Sequence, residues 1–339
     1  MPAASPRLCV DAGPSVSEAL AWDRDRLDWP NSAFSRFVDA GGLRWHVQCV
    51  GSGPVMLLIH GTGASTHSWD GLMSALAARY TLIAMDLPGH AFTGTPPARQ
   101  MSLPGMAELV AALVDELAID VEVVVGHSAG AAIAAQMVIE RRISPGMMIA
   151  VNGAFFPFGG LAGLVFPPVA RLMAATPMAA RLFARRTWDR AAREQQIPGT
   201  GSHRAPRQLE WYRRLLRDAG HAAGALGMMA RWDLRVLADG LASWSTPLAL
   251  IVGACDRAVP PGDASRLLRG LPPGVPCSLD VLPKGGHLVH EEQPAEVARR
   301  VIGALRAQRA GVGAPAGEHR AVELAHRSNS RGRGARFQE

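Results

Sequence analysis

The 339-residue chain has little of what marks disulfide-stapled or membrane-spanning proteins. Its four cysteines, Cys9, Cys49, Cys255 and Cys277, show neither paired metal-ligand spacing nor the density of a small secreted domain, so we interpret them as free thiols. Its uninterrupted apolar runs fall well short of the roughly twenty residues that a membrane-spanning helix needs. We therefore expect no structural disulfide and no integral membrane helix.

An uncharged apolar core near the start of the sequence, which a secretory signal would need, is also missing. Acidic residues stand there instead, at Asp11, Glu18, Asp23 and Asp25. We therefore expect no export by that route and a cytoplasmic location.

Lysine is almost absent, since Lys284 is the only one, although the formal net charge is +6. This indicates arginine use set by genome composition rather than by phosphate recognition, and we expect no nucleic-acid partner. Much of the positive charge lies near the end of the sequence, where residues 310–339 are predicted to be a disordered basic tail. Its RGRG stretch at 331–334 allows at most a peripheral contact with an anionic membrane surface.

Eight short apolar runs predict the strands of a sheet. From the third run onward they alternate with helix-like segments, which predicts an α/β fold with a mostly parallel, eight-stranded sheet covered on both faces. Residues 39–42 (DAGG) are a turn signal, so the sheet should begin with an antiparallel hairpin. The runs are 34–38, 43–50, 55–59, 81–85, 121–125, 147–151, 248–252 and 278–282.

The strand rhythm stops over residues 152–239, which carry Arg, Ala, Met and aromatic residues at helical spacing. We predict an inserted helical cap there. The α/β core would then comprise residues 31–151 and 240–309, after an N-terminal extension over residues 1–30.

The pentapeptide Gly126-His127-Ser128-Ala129-Gly130 lies between the strand-like run 121–125 and a helix-like run. A strand that turns sharply into a helix forces the turn residue into a strained conformation, so flanking glycines are needed. Ser128 would stand at the amino end of the helix, where free N–H groups favour developing negative charge. The pattern predicts a nucleophile.

A serine nucleophile needs a base and a group that orients the base. Asp256 follows the strand-like run 248–252, and His287 follows the run 278–282. The chain order is therefore nucleophile, acid, histidine, each on a loop after a strand. We predict Ser128, Asp256 and His287 as a catalytic triad.

The loop after the run 55–59 predicts an oxyanion site. Its sequence, His60-Gly61-Thr62-Gly63, exposes backbone N–H groups. The N–H of Thr62 or of Gly63, together with that of Ala129, would bind the oxyanion, and the sequence does not choose between Thr62 and Gly63.

Three histidines near these loops have no assigned chemistry. We interpret His60 and His127 as structural. His90 is left open between contact with substrate and bracing of its loop.

The predicted cap is rich in aromatic and methionine side chains, including Phe158, Phe166, Trp188 and Trp211. We predict Phe155, Met228, Met229 and Trp232 as substrate-binding residues, which implies a hydrophobic and fairly large substrate. The alternative is that these side chains only hold the cap helices together.

Six segments of the sequence resemble motifs of a known protein family. They are 28–30 (DWP), 42–48 (GLRWHVQ), 60–69 (HGTGASTHSW), 126–132 (GHSAGAA), 228–234 (MMARWDL) and 286–292 (GHLVHEE). On these motifs residues 34–309 resemble the α/β-hydrolase superfamily, and within it the chain is similar to BchO, the family of magnesium-chelatase accessory proteins of bacteriochlorophyll synthesis. The resemblance implies a role at the step where magnesium enters protoporphyrin IX, in a phototrophic bacterium. It implies no defined substrate.

Two classes of function remain. In the first, a hydrolase, Ser128 attacks an ester or related acyl bond of an unidentified apolar substrate. In the second, a non-catalytic protein binds porphyrin or docks on magnesium-chelatase subunits; a general esterase or carbon–carbon bond hydrolase is a third possibility. The order of the three triad residues favours chemistry. We predict no cofactor and no metal site, because Asp86, Glu291 and Glu292 form no carboxylate cluster in the sequence.

Overall fold

A computed structural model describes residues 19–157, 199–203 and 206–311 of the chain. Phe158, Phe166, Trp188, much of the predicted cap, the first eighteen residues and most of the predicted tail lie outside these ranges. The strands are β1 Ser35–Ala40, β2 Leu43–Val50, β3 Val55–Ile59, β4 Thr81–Met85, β5 Val121–His127, β6 Met147–Val151, β7 Leu248–Gly253 and β8 Cys277–Leu282.

The eight strands form one sheet in the order β1-β2-β4-β3-β5-β6-β7-β8. β2 pairs antiparallel with β1 and β4, and every other neighbouring pair is parallel. The β1–β2 hairpin turns at Gly41 and Gly42, whose φ angles of 58° and 77° favour glycine. The predicted mostly parallel, eight-stranded sheet with its initial hairpin is confirmed.

Helices cover both faces of the sheet. Side chains alternate along the strands, so in β3 Leu57 and Ile59 pack on one side, with α3 and α4, whereas Met56 and Leu58 pack on the other, with α2 and α10. The α-helices in the described ranges are α1 Trp22–Asp25, α2 Asp70–Leu76, α3 Leu103–Glu116, α4 Ala129–Ile139, α5 Pro206–Arg217, α6 Ala219–Met229, α7 Ala238–Ala242, α8 Gly262–Gly270, α9 Val289–Glu292 and α10 Pro294–Arg309.

Of the three described α-helices in the long connection between β6 and β7, α5 and α6 lie wholly within the residues predicted as a cap. Asp218 separates them and caps α6, because its Oδ1 accepts from the N–H of His221 at 2.6 Å. None of the helices in the described ranges has the length and hydropathy required to cross a bilayer.

Residues 19–34, which we name the N-terminal strap, lie against α5. The ring of Trp29 is 5.4 Å from that of Trp211, and its Nε1 donates to Oγ1 of Thr66 at 3.3 Å. The Arg214 guanidinium donates to both carboxylate oxygens of Asp28, at 2.8 and 2.6 Å. The strap therefore joins a helix between β6 and β7 to the loop after β3.

Candidate active site

Ser128 lies in a strained turn between β5 and α4. Its φ of 52° and ψ of −118° belong to a region that residues with a side chain rarely adopt. A Cβ on Gly126 would lie 2.4 Å from the Cα of Ala131, and one on Gly130 would lie 2.1 Å from the carbonyl oxygen of Ile59. Glycine is therefore required on both sides of Ser128.

Three side chains, from loops that follow three different strands, form one hydrogen-bonded chain. Nε2 of His287 lies 3.0 Å from Oγ of Ser128, and Nδ1 of His287 lies 2.8 Å from Oδ2 of Asp256. His287 and Asp256 are 8% and 7% exposed. The structure thus brings together the three residues that the sequence order singles out, with the histidine in the middle.

The carboxylate of Asp256 is fixed by its own loop. Its Oδ1 accepts from the N–H groups of Ala258 and Val259, at 2.7 and 2.9 Å. Its Oδ2 faces Nδ1 of His287, and an ionised carboxylate only accepts hydrogen bonds. The proton of the neutral imidazole therefore lies on Nδ1, and Nε2 accepts from the Ser128 hydroxyl.

Asn152, directly after β6, holds the loop that carries His287. Its Nδ2 donates to the carbonyl oxygens of Gly286 at 2.8 Å and His287 at 2.7 Å. Its Oδ1 accepts from the N–H of Gly253 at 2.7 Å. From the other side, the carbonyl of Thr200 accepts from the N–H of His287 at 2.9 Å. The backbone of the candidate base is therefore fixed at both its N–H and its C=O.

Asn152 does not appear among the residues that the sequence predicts for the site. Its partners are 101 to 135 residues away along the chain, so no short pattern contains them. The one local signal is an asparagine directly after a buried strand, since asparagine tolerates a positive φ and Asn152 has a φ of 44°.

The loop after β3 approaches the nucleophile turn closely. A Cβ on Gly61 would lie 3.0 Å from Cβ of Ser128. No protein group in the described ranges accepts from the N–H of Thr62 or of Gly63. Ala129 is the first residue of α4, and helix geometry gives its N–H no partner within the helix. The loop after β3 and the first residue of α4 therefore present three N–H groups near Ser128 that can bind an anion.

His60 and His127 make contacts that brace these loops. Nε2 of His60 accepts from the N–H of Leu87 at 2.9 Å, so its proton lies on Nδ1 and is donated to the carbonyl of Gly61 at 2.8 Å. Nε2 of His127 donates to the carbonyl of His287 at 2.9 Å. Burial lowers the pKa of His60, and it lowers the pKa of His127 well below the ordinary value, so both rings stay neutral at pH 7.

The four residues predicted to bind substrate differ in burial and in contacts. Met228 is buried, and its Sδ accepts from Oγ1 of Thr62 at 3.6 Å. Phe155 is also buried and lies past the end of β6, whereas Trp232 is half-buried against the core and Met229 is half-buried. Met228 thus touches the loop after β3, and contact of any of the four with substrate stays a prediction.

A small apolar cleft, with room for about one water molecule, lies where β6 and β7 end. Two of its lining residues make triad contacts, since Asn152 bonds to His287 and Val259 bonds to Asp256, so the cleft adjoins the triad. The lining residues are Ala150, Asn152, Gly153, Phe155, Leu250, Val252, Val259, Pro260 and Ala264.

Asp86 is engaged in a buried network. It accepts from Nδ1 of His46 and from the N–H of Thr66, both at 2.7 Å. Burial acts to raise the pKa of Asp86, but His46, His60 and the N–H of Thr66 together outweigh burial and lower that pKa to about 2. Across the part of the chain that the structure describes, no group of three or more His, Cys, Asp or Glu side chains is arranged to hold a metal ion.

The chain belongs to the alpha/beta hydrolase family, whose model matches residues 56–300, from β3 into α10. Within this family it is 36% identical over 266 residues to the magnesium-chelatase 30 kDa subunit of Rhodobacter capsulatus. That alignment covers 78% of this chain and 92% of the relative. The predicted fold class and the predicted kinship with magnesium-chelatase accessory proteins are therefore confirmed.

Two further comparisons bear on the fold. A pimeloyl-[acyl-carrier protein] methyl ester esterase of Aeromonas hydrophila is 29% identical over 267 residues, which cover 76% of this chain and 98% of the esterase. The crystal structure of an α/β hydrolase fold protein from Burkholderia ambifaria superimposes with a TM-score of 0.67 at 24% identity, over 80% of this chain and 97% of that chain. At this identity the structural likeness concerns the fold alone.

Proposed function

We propose that the chain is a serine hydrolase that cleaves an ester or related acyl bond of an apolar substrate. The observation that carries the proposal is the hydrogen-bonded chain from Ser128 through His287 to Asp256, with distances of 3.0 and 2.8 Å. The strained turn at Ser128 adds support, because such strain is retained where the surrounding structure is organised for chemistry.

In the first half of the reaction, Oγ of Ser128 attacks the acyl carbon while its proton passes to Nε2 of His287. The electron pair of the carbonyl bond moves onto its oxygen, which accepts from the N–H of Ala129 and from that of Thr62 or Gly63. Asp256 stabilises the positive charge on the imidazole. When the tetrahedral intermediate collapses, the leaving group takes the proton from Nε2, and an acyl group stays on Ser128.

In the second half, water attacks the acyl carbon and gives its proton to Nε2 of His287. The same N–H groups donate to the second oxyanion. Collapse breaks the bond to Oγ, returns the proton to Ser128 and releases the carboxylic acid. Asn152 and Thr200 hold the His287 backbone through both halves, so the imidazole need not be repositioned between them.

We further propose that this chemistry serves the magnesium-chelatase step, in the cytoplasm, with chelatase subunits as partners. The support is the relationship to a magnesium-chelatase 30 kDa subunit over 92% of that protein. The buried Met228, in contact with Thr62 of the loop after β3, supports a hydrophobic substrate. A methyl ester esterase among the relatives supports acyl transfer as the reaction class.

The second candidate is a non-catalytic protein that docks on the chelatase or binds porphyrin. The observation in its favour is that the relative is named as a subunit of a chelatase. The two candidates differ in what they require of Ser128, because docking needs no nucleophile.

A fluorophosphonate probe distinguishes them on the purified protein. We expect labelling of the native protein and of Ser74→Ala, a control at an exposed serine on α2, and no labelling of Ser128→Ala. A native protein that does not react while its circular dichroism shows a folded chain would contradict the hydrolase.

The cellular role is tested separately, in a strain that lacks the gene. The ratio of magnesium protoporphyrin to protoporphyrin is measured after complementation with the native protein, Ser128→Ala or Ser74→Ala at matched expression. Rescue by the native protein and Ser74→Ala alone is expected. Equal rescue by Ser128→Ala would assign the chelatase role to docking.

A further inference from the structure

Helix α6 lies directly against the two loops that follow β3 and β4. A Cβ on Gly224 would lie 1.8 Å from the carbonyl oxygen of Gly89, so the helix backbone and the loop backbone are in contact and only glycine fits between them. One turn further along the helix, Met228 accepts from Oγ1 of Thr62. The helix is therefore close enough to influence the oxyanion loop.

His221, on the first turn of α6, bonds to both loops through its two ring nitrogens. Nδ1 accepts from the N–H of Ala91 at 3.0 Å. Because a neutral imidazole carries one ring proton, that proton lies on Nε2, which donates to the carbonyl of Gly63 at 3.2 Å. The side chain is 1% exposed. Both nitrogens are occupied by backbone groups, so His221 has no atom left for contact with substrate.

The peptide between Gly63 and Ala64 is held at both ends. His221 binds its carbonyl oxygen, and the carbonyl of Gly61 accepts from the N–H of Ala64 at 3.2 Å. A peptide group is planar, so these two bonds fix its orientation, and only the φ and ψ angles of Gly63 join it to the Gly63 N–H. No heavy atom lies within 4 Å of the Cβ position of Gly63, and its φ is 77°. Hydrogen bonds rather than side-chain packing therefore hold the peptide next to the Gly63 N–H.

We propose that His221 is a positioning residue for the oxyanion site, through which a helix inserted between β6 and β7 directs the Thr62 and Gly63 N–H groups toward the acyl oxygen. The inference rests on the proposed hydrolase function. Under this proposal, α6 contributes to the reaction through His221 and does not only cover the site.

The arrangement holds only while His221 is neutral, because a protonated Nδ1 cannot accept from Ala91. Burial lowers the pKa of His221 to about 4, against the opposing effect of Asp218, while His60 lowers it further and Asp86 raises it. His90 also faces the ring, at a centroid distance of 5.2 Å. As long as the chain stays folded, protonation of His221 should therefore disturb the oxyanion site only near pH 4 and below.

The test uses the hydrolysis of p-nitrophenyl butyrate by the full chain. We expect His221→Ala to lower kcat by about 10- to 100-fold with little change in KM, because oxyanion donors act mainly on the transition state. His221→Gln, whose amide N–H can reach the Gly63 carbonyl, should recover more of kcat than His221→Asn, which can replace only the Nδ1 acceptor. Ala223→Ser, exposed on the same helix, is the control.

A second readout does not depend on turnover. Amide hydrogen exchange measured over residues 60–69 should be faster in His221→Ala than in the native protein and in Ala223→Ser. Unchanged exchange there, or a native kcat in a folded His221→Ala protein, would overturn the role of His221. If the native protein neither hydrolyses esters nor reacts with the phosphonate, the proposed function fails, and the exchange measurement still decides whether His221 fixes the loop.

Discussion

Asn152 is the single residue whose replacement should most directly disturb the candidate base. Asn152→Ala removes partners from the carbonyls of Gly286 and His287 and from the N–H of Gly253. A buried backbone group without a partner costs about 1–3 kcal/mol, and a shift of a reacting group by about 1 Å costs about 10²-fold in rate. We expect a lower melting temperature and a kcat for p-nitrophenyl butyrate reduced about 10²-fold.

Asn152→Gly is the matched control for the backbone. Asn152 has a φ of 44°, which glycine adopts without strain and alanine adopts at a cost of about 1–2 kcal/mol. Both variants should lose the same activity, and the glycine variant should be the more stable in urea unfolding. Native activity in Asn152→Gly would show that the Asn152 side chain does not position His287.

Replacement of Ser128 by glycine should stabilise the fold and abolish activity. Its strained backbone costs about 1–3 kcal/mol, and Ser128→Gly removes this cost but adds about 0.5–1 kcal/mol of chain entropy on folding. We expect a net gain of about 1 kcal/mol in the free energy of unfolding, measured in urea. Ser128→Ala keeps the strain and should show no comparable gain; equal stability of the two variants would refute the argument.

The sequence predicts some residues of the site and not others for a physical reason. Ser128, Asp256 and His287 are predictable because a glycine-flanked serine and a fixed chain order accompany this chemistry. Asn152 and His221 act on backbone groups 101 to 158 residues away, and a single asparagine or histidine gives no local pattern. Such positioning residues become visible only after the chain has folded.

At the scale of elements, the N-terminal strap should be held by packing rather than by its ion pair. Trp29 is 2% exposed and packs against Trp211 and Phe92, so Trp29→Ala should cost about 3–5 kcal/mol. We expect a lower midpoint of urea unfolding and faster hydrogen exchange in α5.

Asp28→Asn is the comparison variant for this prediction. The Asp28 side chain is 50% exposed, and exposed ion pairs such as the one with Arg214 contribute about 0–1 kcal/mol. Asp28→Asn should therefore unfold close to the native midpoint. A larger loss of stability in Asp28→Asn than in Trp29→Ala would show that the ion pair, and not packing, holds the strap.

The strands were predictable to within two residues because continuous runs of β-branched and other apolar residues are typical of a sheet covered on both faces. β1 differs most, since the prediction is 34–38 and the strand is Ser35–Ala40. A 3₁₀ turn at Ser32–Phe34 includes Phe34, and pairing with β2 continues to the hairpin turn. The contact between strap and α5 was not predictable, because Trp29 and Trp211 are far apart in sequence and carry no shared pattern.

At the scale of the whole molecule, buried histidines should make the protein sensitive to acid. Burial lowers the pKa of His60 and brings that of His221 to about 4, while it lowers the pKa values of His90 and His127 well below the ordinary value. Below about pH 6.5 the unfolded chain takes up protons at these positions and the folded chain does not. The free energy of unfolding should therefore fall by up to about 1.4 kcal/mol per pH unit for each histidine.

Urea unfolding at pH 7.5, 6.0 and 5.0 measures this dependence. We expect full stability above about pH 6.5 and a steep decline between pH 6 and 4. His221→Gln, which has no titratable group at that position, should show a shallower decline than the native protein. A native midpoint that stays constant down to pH 5 would contradict neutral burial of these rings.

The strained turn at Ser128 also has an evolutionary consequence. Active sites are kept at a cost in stability, and substitutions that remove this cost are usually opposed by the loss of activity. In a lineage that kept only a docking role, a glycine at position 128 would stabilise the fold, and no loss of function would oppose it. Descendants that have given up hydrolysis are therefore expected to be recognisable by the loss of this serine, before the rest of the fold diverges.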